Sequence, residues 1–152
     1  MKEINQKLIT EYLDIAVNDS ENTQRFLAIL HENCQWSLMP PGIAIKGLEN
    51  LRKFVGFAMG SRKHNDHSKV IIQNCFSDDD NFCVEYFHGA LVMGIKVQET
   101  VCLVCQIKDG KFISVNEYVD TGGSLLIRLG LKVFPLVARF KGIKYQKTLA
   151  KK

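Results

Sequence analysis

The stretch from Asp109 to Asp120, DGKFISVNEYVD, constrains this chain more than any other. Asp109-Gly110 is a two-residue turn of the kind that joins antiparallel strands, because its backbone twist matches theirs. The residues after it alternate. Strict alternation places Phe112, Ser114, Asn116, Tyr118 and Asp120 on one face, and Ile113, Val115, Glu117 and Val119 on the other. The second face is mostly β-branched with one acid. The first stacks three polar groups behind an aromatic, so it faces either water or the lining of a cavity.

Around that hairpin the period of the sequence changes once in each direction. Residues 3–18 read as an amphipathic helix with Ile4, Leu8, Tyr12, Ile15 and Ala16 on one stripe. Ser20 is positioned to cap a second helix over roughly 21–32 that buries Phe26, Leu27 and Leu30. A short strand is expected at Cys34–Met39, then a turn at Pro40-Pro41-Gly42 and extended chain at Ile43–Ile45. Gly47 opens a third helix, to about Arg62, with Leu48, Leu51, Val55, Ala58 and Met59 inward. From Asp66 the period becomes two, giving strands near 67–77, 82–92, 96–108 and 111–120. Asp78-Asp79-Asp80-Asn81, Met93-Gly94 and Asp109-Gly110 mark the turns between them. Helices first and an antiparallel meander after them is an α+β pattern, not alternating βαβ.

With 152 residues, one such core is the natural size. No apolar run reaches membrane-spanning length, and the charged start MKEINQKLITEYLD is unlike a signal peptide. Five scattered cysteines do not form a disulfide framework, which implies a reducing, cytoplasmic setting. Cys102-x-x-Cys105 sends its sulfurs to opposite faces of a strand, unlike a redox motif on a helix N-terminus. His64-x-x-His67 is the only close histidine pair and lacks further ligands, so no metal is expected. With no phosphate loop, Gly-rich dinucleotide fingerprint or nucleophile elbow in the sequence, no cofactor is expected either.

Charge divides the chain in two. Residues 121–152 contain Arg128, Lys132, Arg139, Lys141, Lys144, Lys147, Lys151 and Lys152 and no acid, which leaves residues 1–120 with a net charge of −4. An acidic body without a basic, aromatic-interleaved face argues against nucleic acid as a partner. After Thr121-Gly122-Gly123 the sequence is again helical, with Leu125, Leu126, Leu129, Val133, Leu136, Val137 and Phe140 beside a basic row, and Pro135 is expected to kink or split it. The expected organisation is therefore a domain over 1–120 and a basic amphipathic extension over 121–152. For the extension three roles stay open: packing on the body or a second subunit, peripheral contact with an anionic membrane through 124–148, or binding nucleic acid.

A helix leading to Trp36 on a first short strand, Lys46-Gly47 before the third helix, Val84-Glu85 on a later strand, and DGK…NEYVD closing the meander recur together in one superfamily. Over about residues 3–120 the chain resembles the nuclear transport factor two-like and SnoaL-like polyketide cyclases. The resemblance implies a cone, in which three N-terminal helices pack into the concave side of a curved antiparallel sheet. A curved open sheet leaves a large convex face to cover, so a homodimer is expected, and the cone is expected to hold a small, mostly apolar molecule. In enzymes of this superfamily, carboxylates deep in the cone act as general acid or base in isomerases, cyclases and epoxide hydrolases; other members bind ligands or proteins without catalysis. Asp120 matches the terminal acid of the hydrolase-like motif. The Arg-x-Asp pair of those hydrolases is missing here, where the chain reads Tyr86-Phe87-His88-Gly89.

Residue chemistry adds candidates to Asp120. Tyr118 and Asn116 share its face and are suited to hydrogen-bonding a developing oxyanion. His88 is a candidate proton shuttle for Asp120. Glu99 stands in an apolar row with Val97, Val101, Leu103 and Cys105, as a pocket acid or a sheet-end residue. Tyr12, Trp36 and Tyr86 are expected to wall the cavity. Two functions follow: acid–base catalysis on an apolar molecule by Asp120, His88 and Tyr118, or a non-catalytic module that binds a ligand or partner with Tyr12, Trp36, Tyr86, Glu99 and Asn116.

Overall fold

The computed structural model describes residues 3–19, 22–39, 42–60, 69–92, 95–120 and 125–148. In chain order the elements are α1 (Glu3–Asn18), α2 (Thr23–Ala28), β1 (Leu30–Met39), β2 (Ile43–Lys46), α3 (Leu48–Gly60), β3 (Lys69–Ser77), β4 (Asn81–Val92), β5 (Ile95–Lys108), β6 (Lys111–Asp120), α4 (Leu125–Phe140) and β7 (Tyr145–Lys147). The Pro40-Pro41 and Met93-Gly94 turns, Ser20, Thr121-Gly122-Gly123 and the His64–His67 pair lie outside the described residues.

The seven strands form one curved, open sheet in the order β3-β4-β5-β6-β1-β2-β7. Hairpins join β3, β4, β5 and β6, as the alternation predicts. The sheet is mixed, not antiparallel throughout, because β1 runs parallel to β6. That pairing joins segments about eighty residues apart, Trp36 opposite Val115 and Leu38 opposite Glu117, and no local pattern encodes it.

The β5–β6 turn has the backbone its sequence requires. Asp109 has φ 51° and Gly110 φ 69°, both in the left-handed region that such two-residue turns need. Just after it the alternation breaks. Gln106 faces Ser114 but Ile107 faces Phe112, so Ile113 is an extra residue in β6. One inserted residue shifts the phase of everything beyond it. Phe112, Val115, Glu117 and Val119 therefore share the concave face, while Ser114, Asn116, Tyr118 and Asp120 share the convex one.

Helices close the concave side. Tyr12 of α1 meets Phe82 and Phe112 edge-on, with centroids 5.7 and 5.8 Å away. Phe26 of α2 and Phe54 of α3 both pack on Trp36. Each such buried side chain contributes roughly 1.5–3 kcal/mol of transfer free energy. Asn5, itself buried, ties α1 to the backbone carbonyl of Asp79 in the β3–β4 turn. Helix α2 is shorter than its sequence pattern predicts. Asn22 caps it by accepting from the Arg25 amide at 3.0 Å, and the Ile29 carbonyl accepts from the Phe112 amide at 3.0 Å. Chain that reads as a third helical turn is thereby drawn into β1. The Arg25 guanidinium binds Glu11, Asp14 and Asp19 and holds the short helix to α1.

The C-terminal segment is built onto the same sheet. Helix α4 runs unbroken from Leu125 to Phe140 with Pro135 inside it. Phe134 packs on Phe54 and Phe57 of α3, and Ala138 and Ile143 are buried. Beyond it β7 pairs antiparallel with β2, Tyr145 opposite Ile45. A three-residue edge strand of this composition gives no signal in the sequence.

Candidate functional site

Three polar pairs interrupt the apolar lining of the concave face. Glu117 of β6 lies between Leu38 of β1 and Leu103 of β5, and its Oε2 accepts from the Trp36 indole Nε1 at 2.7 Å. Nearer the other end of β4 and β5, His88 and Glu99 are register partners, and Nδ1 of His88 lies 2.9 Å from Oε1 of Glu99. Their side chains are 5% and 14% exposed. Between these levels the Tyr12 hydroxyl shares a hydrogen bond with Tyr86, the strand neighbour of Val101.

The electrostatics of these groups follow from burial. Removing Tyr12 from water pushes its hydroxyl well above the ordinary tyrosine range, and the nearby Tyr86, Cys105 and Glu117 push it further. Tyr12 is thus a permanent hydroxyl donor. Desolvation likewise lifts the Cys34 thiol to about 12. Cys105 faces inward while Cys102 lies on the convex face, 3.8 Å from the Cys83 sulfur, its thiol pushed up to about 11 chiefly by burial. Neither cysteine of the Cys102-x-x-Cys105 spacing is a ready thiolate.

The structure gathers five expected site residues on one face: Tyr12, Trp36, Tyr86, His88 and Glu99. The interior placement of Asn116, Tyr118 and Asp120 is corrected by the bulge at Ile113. Asp120 is exposed opposite Thr100, Tyr118 is 48% exposed opposite Cys102, and Asn116 faces Val104. The expected pairing of His88 with Asp120 is likewise replaced, since Glu99 is the carboxylate beside the imidazole. Glu117 is the residue that sequence reasoning passed over. Its signal was present: an acid between Val115 and Val119 is the same anomaly that singled out Glu99.

Among the described residues no group of three or more His, Cys, Asp or Glu side chains is arranged to hold a metal ion. A cleft at the β2–β7 edge, lined by Ala44, Lys46, Asn50, Lys144, Tyr145 and Gln146, lies away from the concave face and contains neither acid nor imidazole.

No protein-family model matches the sequence, and no curated protein does. Solved structures match the fold. An NTF2-like protein from Anabaena variabilis is 17% identical, with a TM-score of 0.66 over 79% of this chain and 92% of that one. A protein of ketosteroid isomerase-like fold from Catenulispora acidiphila, in complex with trimethylamine, is 13% identical, with a TM-score of 0.64 over 81% and 92%. An LEH-like epoxide hydrolase from M. tuberculosis is 19% identical, with a TM-score of 0.61 over 87% of this chain and 96% of that one.

Proposed function

We propose that this NTF2-like fold binds a small, mostly apolar molecule against its concave face and acts on it by acid–base chemistry centred on His88. The observation that carries the reading is the buried His88–Glu99 pair, 2.9 Å apart in an otherwise apolar row. A carboxylate at Nδ1 fixes the tautomer with the proton there, so Nε2 presents a lone pair. The same carboxylate stabilises the imidazolium formed once Nε2 has taken a proton. Glu117 and Tyr12 supply an acceptor and a permanent donor on the same lining, and isomerisation, cyclisation and hydrolysis all draw on such a set. Fold neighbours that include an epoxide hydrolase are compatible with this class of chemistry.

Ligand binding without turnover is the second reading, favoured by the mutual satisfaction of the Trp36–Glu117 pair. The convex face supports pairing of two copies, since Ile71, Phe76, Val104 and Tyr118 are exposed apolar or aromatic groups there. Charge substitutions at Val104 and Tyr118 are expected to give a monomer in sedimentation.

The single tryptophan makes the test direct, because Trp36 lies on the lining itself. Cyclic ketones, epoxides and phenols titrated against Trp36 emission should include a compound with a saturable change. His88→Gln should then leave binding within about threefold and lower conversion about 100-fold or more, as loss of a general base does. Saturable binding with conversion untouched by His88→Gln overturns the acid–base assignment. No saturable change with any of the compounds overturns the site.

A further inference from the structure

Helix α4 is apolar on two opposite sides. One side is used: Phe134 and Ala138 are 8% and 0% exposed against the body of the protein. The other carries Leu129, Val133, Leu136 and Phe140, which are 49%, 49%, 56% and 84% exposed. Spacings of four, three and four place these side chains in one row along the helix, about half a turn from the buried side. Arg128, Lys132 and Arg139 are exposed and run parallel to the row on one flank. No acid occurs on α4 or anywhere in residues 121–152.

From this arrangement we infer that α4 docks on the surface of an anionic lipid bilayer, its leucine–valine–phenylalanine row dipping among the acyl chains and its basic row at the head groups. Charge selects an anionic occupant. Shape selects a surface, because the row is a single convex ridge and a lipid surface closes around a ridge without needing a matching groove. Pairing of α4 with the α4 of a second copy is disfavoured, since neither helix offers an acid to meet the other's cations. With sixteen residues the helix is about 24 Å long. No helix among the described residues is long and apolar enough to cross a membrane, so α4 lies flat in the interface.

The ridge is held ready. Phe134 packs on Phe54 at 5.7 Å, the Tyr145 hydroxyl donates to the Pro135 carbonyl at 3.4 Å, and β7 pairs with β2. Docking therefore orders no new segment. This surface is independent of the interior pairs and stands whether or not they catalyse.

The test is flotation of the full chain with phosphatidylcholine vesicles, with and without about 30% phosphatidylglycerol. The wild-type chain is expected to float only with the anionic vesicles, and to be released as salt rises from about 0.1 to about 1 M. Leu136→Ser with Phe140→Ser should lower the bound fraction about tenfold. Lys132→Glu with Arg139→Glu should abolish the preference for anionic vesicles. All four positions are exposed, and an unchanged circular dichroism spectrum confirms the fold of each variant. Equal flotation with neutral vesicles, no flotation of the wild-type chain, or flotation unaffected by either variant overturns the inference. So does a dimer of the wild-type chain that Phe140→Ser dissociates while vesicles leave it unbound, which assigns the ridge to a second copy.

Discussion

The indole of Trp36 donates to the carboxylate of Glu117 at 2.7 Å, joining β1 to β6 across 81 residues of chain. The two strands are parallel neighbours, Trp36 stands opposite Val115, and Glu117 is two residues further along the same interior row. A charge-assisted bond in this setting both fixes the packing of the ring and lowers the cost of keeping an acid inside.

Trp36→Phe keeps an aromatic ring but removes the donor, leaving Glu117 one partner short in the interior. The expected loss is about 1–3 kcal/mol, read by urea denaturation with circular dichroism. Glu117→Gln should cost less, because the amide oxygen still accepts. A Gln variant as unstable as the Phe variant would show that the indole bond is not what Glu117 requires.

The His88–Glu99 contact makes a prediction about a proton. With Nδ1 held 2.9 Å from the Glu99 carboxylate, the neutral ring should carry its hydrogen on Nδ1. Nitrogen chemical shifts of His88 in the folded protein report this directly. Glu99→Leu should move the ring toward the other tautomer. A native Nε2–H form would leave His88 no lone pair for a substrate and would end its candidacy as a base.

Beyond the bulge at Ile113, regular alternation places Glu117 on the interior face and Asp120 on the exposed one. Asp120→Asn, on the exposed end of β6, should change stability by no more than about 0.5 kcal/mol and leave Trp36 emission titrations unaltered. Deleting Ile113 should remove the bulge and leave the ladder regular, with Phe112, Val115, Glu117 and Val119 still inward, Asn116, Tyr118 and Asp120 still outward, and cooperative unfolding retained. Loss of cooperative unfolding in the deletion variant would mean that Ile113 is not the residue that breaks the alternation.

These outcomes also explain what could be read in advance. The α+β order, the hairpins and the positive-φ turn at Asp109-Gly110 are local, and residue spacing encodes them. Tyr12, Trp36, Tyr86, His88 and Glu99 come out together on the interior face because each lies in a run where the period holds. Asp120 does not, because a single extra residue in β6 has no signature in composition and inverts all that follows it. The β1–β6 pairing and the β2–β7 edge were equally hidden, since they join segments far apart in the chain. Glu117 was visible as an acid in an apolar row, but the broken alternation assigned it to the wrong side.

Acid should weaken the β3–β4 turn. Asp78 accepts from the amides of Asp80 and Asn81 at 2.9 and 2.7 Å, and these bonds hold its carboxyl below the usual carboxylate range. Asn18 and Arg25 lower Asp14 in the same way. A depressed folded value means stabilisation that is complete above the unfolded value of about 4 and lost as pH falls through the folded one. Asp78→Asn should therefore lower the melting midpoint at pH 7, and the gap to the wild-type chain should narrow below pH about 4. A gap that stays constant through that range would remove Asp78 from the acid transition.

The two sides of α4 should respond oppositely to the same substitution. Phe134 is buried against Phe54 and Phe57, and Phe54 in turn packs on Trp36, so the contact reaches the interior lining through one intervening ring. Truncating a buried phenylalanine removes its transfer free energy and leaves a cavity, for a loss of about 3–5 kcal/mol. Phe134→Ala should approach that loss and also shift Trp36 emission. Phe140→Ala, 84% exposed at the end of the helix, should cost no more than about 0.5 kcal/mol. Were both substitutions mild and the emission unmoved, α4 would be a tethered appendage, and the ridge it presents would have no fixed orientation toward a bilayer.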